Sequence, residues 1–259
     1  MAALKSGQKN GHGEELFNEE NLNDTFPCSF SIKNFEFLNK ICRFIYYYDG
    51  NFVDGKKNGK GKLYYFLGKK LIYDGEWENG IKNGKGIEYY NNGKIKYKGQ
   101  FSLGHYNGLG EFFWKNGNYY NGSFIQGQLN GFGKLINCGD ISILDSYLGK
   151  SIVSFDNIKE YEGEFVDNKK EGFGTAIYND GSRFMGFWKN NKYNGEGIFF
   201  KKTGEYIACN WENGKKFGKM TLFDEIGDFK EEGIFFDDKP TNDSFWKNLK
   251  NRFIFKTNK

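Results

Sequence analysis

One phrase, Tyr-x-Gly-x-Phe/Trp-x-x-Gly-x-x-x-Gly-x-Gly, recurs along this chain, and a chain written in one repeated phrase folds by stacking copies of one small unit. YDGNFVDGKKNGKG begins at Tyr48, YDGEWENGIKNGKG at Tyr73, YKGQFSLGHYNGLG at Tyr97 and YNGSFIQGQLNGFG at Tyr120, a spacing of 23 to 25 residues. After a longer gap come YEGEFVDNKKEGFG at Tyr161 and FMGFWKNNKYNGEG at Phe184. The eroded IACNWENGKKFGKM at Ile207 and the half-copy EEGIFFDDKP at Glu231 bring the total to about eight units.

Alternation of period two puts Tyr73, Gly75 and Trp77 on one face of a strand. The glycine-rich segment 80–84 turns the chain, and 85–90 returns as the second strand of a β-hairpin. Gly84 and Gly86 are two residues apart, which predicts that they share a face of the returning strand. A strand glycine costs about 0.5–1 kcal/mol relative to alanine and marks a place where something else comes close. The sequence predicts a slot over Gly84 and Gly86 that receives Tyr and Trp rings, whose burial at about 1.5–3 kcal/mol each offsets the glycines. Composition agrees: aromatic residues are 19% of the chain against 38% hydrophobic in all, with 36 glycines and two prolines, so the core is thin and ring-lined.

The recurring phrase resembles the MORN repeat (membrane occupation and recognition nexus), and the resemblance covers residues 48 to about 236. It implies an all-β fold: an elongated single-layer antiparallel sheet of consecutive hairpins. It also implies that the ring positions line a groove, here Tyr48, Phe52, Tyr73, Trp77, Tyr97, Phe101, Tyr120, Phe124, Tyr161, Phe165, Phe184, Trp188 and Trp211. Proteins with this repeat link membranes or cytoskeletal assemblies, which makes the groove the expected site of a protein partner.

Departures from the phrase predict the rest of the organisation. Residues 140–160 have lost the glycine register and read as a decayed hairpin or a loop, dividing the array into 48–139 and 161–240. In the unit at Ile207, Cys209 and Met220 stand where glycines are expected, so its slot is partly filled. Residues 1–25 are polar and aperiodic and read as a disordered tail. Residues 26–47 read as a degenerate hairpin or a short helix capping the sheet. At the C-terminus, 241–259 predicts an amphipathic helix with Phe245, Leu249 and Phe253 at i, i+4 and i+8. Its Lys247, Lys250, Arg252, Lys256 and Lys259 face a single Asp243. It reads either as a lid over the groove or as a contact for a partner or an acidic membrane through Lys247, Lys250 and Arg252.

Several function classes find no support in the residues. The balance of 37 basic and 33 acidic residues is only mildly basic, which argues against nucleic acid as a partner. Cys28, Cys42, Cys138 and Cys209 form no CxxC pair and read as reduced thiols of a cytoplasmic protein. No stretch suits a membrane-spanning helix, a signal peptide or an N-myristoylation site. His12 and His105 stand far apart without metal-ligand spacing, and the Gly-x-Gly pairs belong to hairpins rather than a phosphate loop. The expectation is therefore no enzyme, no cofactor and no metal. Turn lysines Lys56, Lys57, Lys60, Lys62, Lys82 and Lys85 lie along one sheet edge among Asp49, Asp54, Asp74, Glu76 and Glu78. The sequence thus points to a scaffold in a hetero-complex of a ciliary or cortical cytoskeleton, in a protist to judge from the AT-rich coding bias. A peripheral module for anionic phospholipid and an accessory subunit of an enzyme complex are the alternatives.

Overall fold

A computed structural model describes residues 3–5, 8–18, 21–25, 45–65, 69–137 and 157–241. Among the described residues nineteen strands follow one another: β1 (Ala3–Lys5), β2 (Gln8–Asn18), β3 (Asn21–Thr25), β4 (Ile45–Val53), β5 (Lys56–Tyr65), β6 (Lys70–Glu78), β7 (Ile81–Tyr89), β8 (Ile95–Ser102), β9 (His105–Phe113) and β10 (Tyr119–Ile125). They continue with β11 (Gln128–Ile136), β12 (Ile158–Val166), β13 (Lys169–Tyr178), β14 (Arg183–Lys189), β15 (Lys192–Phe200), β16 (Tyr206–Glu212), β17 (Lys215–Phe223), β18 (Phe229–Phe236) and β19 (Lys239–Pro240). The chain forms two compact units, residues 1–115 with 123–128, and residues 116–122 with 129–259. In the first, β2 and β4 to β9 pair antiparallel in chain order, with β1 and β3 each pairing with β2. In the second, β11 to β19 do the same.

Each repeat is a hairpin closed by a two-residue turn in which both residues take positive φ, as Asn79 (50°) and Gly80 (85°) do. This is the primed turn that matches the twist of paired strands. The turn also joins the hairpin to the preceding one. Gly80 N donates to Lys57 O at 2.8 Å, Gly104 N to Lys82 O at 2.9 Å and Asn191 N to Lys170 O at 3.1 Å. The backbone amide that a free hairpin would leave to water is thereby used between repeats.

The ring slot exists, but its second wall is not the one read from sequence. Gly84 has φ +83° and sits at a bulge, beside the register shift between Gly75 and Trp77, so it does not share the face of Gly86. The slot is made by Gly86 and Gly75, which face each other across the hairpin. A Cβ at Gly75 would lie 2.5 Å from the Tyr73 hydroxyl oxygen, and one at Gly86 would strike the same ring. The same pairing holds for Gly50 with Gly61 under Tyr48, Gly99 with Gly110 under Tyr97, and Gly163 with Gly174 under Tyr161. Neighbouring hairpins pair through the same residues, Gly61 with Gly75 and Gly86 with Gly99, so a row of glycines crosses the strands. In the second unit the row runs from Gly133 to Gly197 and then continues as Cys209, Met220 and Gly233. Cys209 and Met220 belong to the unit whose tyrosine is replaced by Ile207. Where the long ring is missing, side chains fill the slot.

Two expectations are corrected. The stretch 1–25 is not wholly a disordered tail: β2 pairs with β4 from Gly11–Phe52 to Asn18–Ile45, and Gly13 extends the glycine row by facing Gly50. The signal was present, because KNGHG at 9–13 repeats KNGKG at 82–86. Nor does the insert divide the array. β11 pairs directly with β12, Gly131 facing Phe165 and Gly133 facing Gly163, in the register by which Gly84 faces Phe101 and Gly86 faces Gly99. Residues 157–160 belong to this continuous hairpin, whereas 138–156 lie outside the described residues, as do 26–44 and the C-terminal segment 242–259.

Gly86→Ala should lower stability by about 1–3 kcal/mol through overpacking, and Tyr73→Ala by about 3–5 kcal/mol through cavity formation. The double variant should cost at least about 1 kcal/mol less than the sum, because the methyl then enters vacated space. Urea unfolding of the four proteins checks this, and strict additivity would remove the slot from the explanation.

Candidate functional site

All thirteen sequence-predicted ring positions are buried, in each unit as a core rather than a groove. Tyr48, Tyr73, Tyr97, Tyr120, Tyr161, Phe165 and Phe184 are wholly inaccessible, and even Trp211, the most open of the thirteen, is only 7% exposed. The rings alternate edge to face: Tyr48 meets Trp77 at 5.3 Å, Tyr73 meets Trp77 at 5.2 Å and Phe101 at 5.1 Å, and Tyr161 meets Trp188 at 5.3 Å. Each tyrosine thus lies between the ring four residues on and the equivalent ring of the next hairpin, the geometry aromatic quadrupoles favour. Tyrosine hydroxyls donate to the carbonyl three residues ahead, Tyr73 to Glu76 O at 2.9 Å and Tyr97 to Gln100 O at 2.9 Å. Indole nitrogens donate to slot glycines of the previous hairpin, Trp77 Nε1 to Gly61 O and Trp188 Nε1 to Gly174 O, both at 3.1 Å. The expected open trough is therefore closed, and its rings are not available to a partner.

What closes it is one position per hairpin, two residues past the turn. Lys57 Nζ stands 5.4 Å from the Tyr48 ring centre and 5.3 Å from that of Trp77. Lys82 lies over Tyr73 and Phe101, Lys170 over Tyr161 and Trp188, and Lys216 over Trp211 and Phe235. Elsewhere the cover is a ring, Tyr106 stacked on Tyr97 at 3.9 Å and Tyr193 on Phe184 at 3.8 Å, or the buried Leu129. Two of the six lysines assigned to the sheet edge, Lys57 and Lys82, thus point into the ring layer, and Lys62 pairs with Asp74 at 3.3 Å.

The opposite face of the sheet differs between the units, and sequence reading passed it over. In the first unit the outward row beside the glycines reads Asp49, Lys62, Asp74, Ile87, Lys98, Glu111 on successive strands. In β13 to β17 the equivalent row reads Thr175, Met185, Ile198, Ala208, Thr221, with no charge. The flanking positions mix apolar and charged residues: Glu196 faces Asn210 on one side, and on the other Arg183 lies over the Phe200 ring at 4.2 Å. Phe173 faces Phe187, 47% and 46% exposed with rings 5.6 Å apart, and the half-buried Phe200, Tyr206 and Phe223 form a second stripe. Ion pairs border it, Lys134 with Glu160 and Glu162 on one side and Lys219 with Glu232 on the other. The signal lay in the residues between the repeat's fixed positions, which the repeat phrase treats as free.

The proposed contacts Lys247, Lys250 and Arg252 lie outside the described residues. Among the described residues no group of His, Cys, Asp and Glu is placed to hold a metal ion, and no helix is long and apolar enough to cross a membrane. Burial pushes the Cys209 thiol up to about 12, with Lys216 opposing, so it is inert packing at neutral pH.

Two charged groups on the ring face are shifted from their ordinary range. Glu88 occupies an inward position held by Leu63, Leu135 or Leu222 elsewhere, and accepts from Lys82 at 2.8 Å, Lys96 at 3.1 Å and Tyr106 at 3.3 Å. Burial alone would raise its carboxyl, but the two ammonium groups outweigh burial and hold it below the usual range. For Lys57, burial pushes the ammonium down to about 8, while Glu15 and the ring faces act the other way. Because the folded value is depressed, the unfolded chain binds more protons between about pH 8 and about 10.4, and stability from this group rises with pH across that window. Lys57→Met should abolish the rise, on the order of 2 kcal/mol, in urea unfolding repeated from pH 7.5 to 10. Parallel pH profiles for both proteins would refute the assignment.

Comparison with known proteins follows the same residues. The MORN repeat family matches residues 48–66, 73–95, 97–119, 120–137, 161–183 and 184–206. No curated protein matches the chain. Among solved structures, the E1021V mutant of the TCP10 domain of Danio rerio CPAP is 11% identical, covering 73% of this chain and 95% of that one at a TM-score of 0.24. Selenomethionine-substituted virginiamycin B lyase from Staphylococcus aureus is 13% identical, covering 86% and 74% at a TM-score of 0.17. At those values neither likeness carries an argument about this chain. Six family matches fall on the hairpins whose rings and glycines interlock, and the chain belongs to the MORN-repeat family.

Proposed function

We propose that this chain is a non-enzymatic repeat scaffold of the cytoplasm that holds a protein partner against the outer face of β13–β17, as one subunit of a ciliary or cortical cytoskeletal assembly. MORN repeats suit either a scaffold or a membrane-binding module. The observation that carries the scaffold reading is the change in one outward row, from alternating charge in the first unit to Thr175, Met185, Ile198, Ala208 and Thr221 in the second. Ion pairs such as Lys62–Asp74 and Lys98–Glu111 keep the former row wet, whereas the latter is uncharged and flanked by the exposed Phe173 and Phe187, an apolar surface of the kind that marks association sites. Met185 and Ile198 at its centre, aromatic side chains beside them and ion pairs at the rim match the anatomy of a protein interface.

The lipid alternative rests on lysines, and its support is thinner. Lys57 and Lys82 are committed to the rings and Lys62 to Asp74, leaving Lys56, Lys60 and Lys85 on that edge. At about 1 kcal/mol per lysine near an anionic bilayer, three are marginal without the C-terminal basic residues.

Capture of partners by the immobilised full-length protein should fall at least about tenfold, 1.4 kcal/mol or more, when Met185→Lys and Ile198→Lys are introduced together. It should be unaffected by Tyr73→Phe, which leaves the outer face intact. Undiminished capture by the lysine variant would exclude the face. Flotation with anionic vesicles that is lost in Lys247→Glu/Lys250→Glu/Arg252→Glu would favour the lipid reading instead.

A further inference from the structure

We infer that the sheet of the second unit parts at the seam between β15 and β16, releasing β16–β19 as one block that swings on the connector 201–205. The other hairpin junctions of the same unit single this seam out.

Each hairpin rests its turn on the hairpin before it, and the residue at the second turn position decides how firmly. Among the described residues Asn168, Asn191 and Asp238 hold that position in three turns of the second unit, and Gly214 holds it in the fourth. Asn168 N donates to Leu129 O at 3.0 Å, and its Oδ1 accepts from Leu129 N at 2.7 Å. Asn191 and Lys170 exchange bonds in the same way at 3.1 and 2.8 Å, as do Asp238 and Lys216 at 3.2 and 3.0 Å. Gly214 N donates to Tyr193 O at 2.9 Å, but a glycine has no side chain with which to return the bond.

The remaining contacts over this seam are looser as well. Trp211 Nε1 reaches Gly197 O at 3.4 Å, against 3.1 Å from Trp188 Nε1 to Gly174 O one hairpin earlier. Asn213 N reaches Asn194 Oδ1 at 3.4 Å, against 2.8 Å from Asn190 N to Glu171 Oε1. Both longer bonds lie beyond the usual N–H to O range. The rings of Phe184 and Trp211 are 5.6 Å apart, where those of Tyr161 and Trp188 are 5.3 Å apart. Ile207 supplies no ring to the slot on the far side, and Cys209, which faces Gly197 across the seam, takes part of its place. Among the described residues no ion pair joins β15 to β16, whereas Lys134–Glu160 joins β11 to β12 and Lys219–Glu232 joins β17 to β18. Beyond the seam the block is tied to itself, Lys216 Nζ to Asp238 at 3.1 Å and Lys230 to Glu205 at 3.0 Å. A backbone ladder crosses every junction alike, so these differences decide where a repeat array held by neighbour contacts opens first.

The test uses the full chain, with its own Cys209 as reporter. That thiol is 8% exposed and buried against the seam. Its alkylation by iodoacetamide is followed on its peptide by mass spectrometry, from zero urea to just below the unfolding transition. The rate should exceed the rate that global unfolding allows by at least about tenfold, with a weaker urea dependence. Gly214→Asn supplies the missing return bond: a Cβ there meets nothing nearer than Lys192 Cβ at 3.9 Å, and Asn191 holds the same position at φ 68°. It should slow the reaction about fivefold, the effect of one net hydrogen bond. Asn191→Gly, which strips the same bond from the junction of β13 and β14, should leave the Cys209 rate unchanged. A rate that follows global unfolding at every urea concentration would overturn the inference. So would an unchanged rate in Gly214→Asn, or an acceleration in Asn191→Gly, which would mean that the whole unit opens rather than this seam.

Discussion

A tyrosine ring laid over two facing glycines is the contact on which the rest of this structure depends. Each glycine weakens a strand taken alone, and the ring would be exposed on a sheet with one layer. Together they remove both problems: Gly75 and Gly86 let Tyr73 lie against the backbone, and its hydroxyl reaches Glu76 O instead of water. Because the same glycines also pair with those of the next hairpin, every slot shares walls with its neighbours. Phe184 keeps the ring without the hydroxyl and the slot persists, whereas Ile207 abandons the ring and Cys209 and Met220 grow into the space. One chain thus contains both the rule and its compensated exception.

This arrangement assigns opposite roles to the two faces. On one, rings and the lysines above them are consumed in holding hairpins together, in the near-neighbour manner of repeat arrays. Lys57 and Lys170, 9% and 1% exposed, are structural cations over aromatic faces rather than free charges. The other face is unconstrained by the repeat and carries whatever sequence function requires. A charge-alternating row in one unit and an uncharged one in the other show how differently the same scaffold can be dressed.

Much of the fold was legible because period, turn and ring spacing are local properties. The hairpins, their order and the tyrosines as slot occupants follow from residues within one repeat. The slot's second wall did not, since Gly84 and Gly86 look equivalent in a strand of period two, and only the bulge at Gly84, with φ +83°, separates them. Burial of the rings was also hidden: a single-layer sheet suggests an open groove, and nothing local says that Lys57, Lys82 or Tyr106 folds over it. The half-repeat at 9–13 was readable but overlooked, because its tyrosine-bearing strand is missing from the pattern. The outer face was invisible for the opposite reason: a repeat phrase is defined by what recurs, and this surface is made of what does not.

The direct pairing of β11 with β12 has a consequence for how such a chain can change. Asn137 N donates to Lys159 O at 2.8 Å, so the strand ends on either side of residues 138–156 are already tied together. Any length of chain can then be spliced between them at a cost that rises only with the logarithm of its length. The junctions between hairpins are therefore ports where evolution can add material without renegotiating the register, whereas the two-residue turns, with their positive φ and their bond to the previous repeat, admit none.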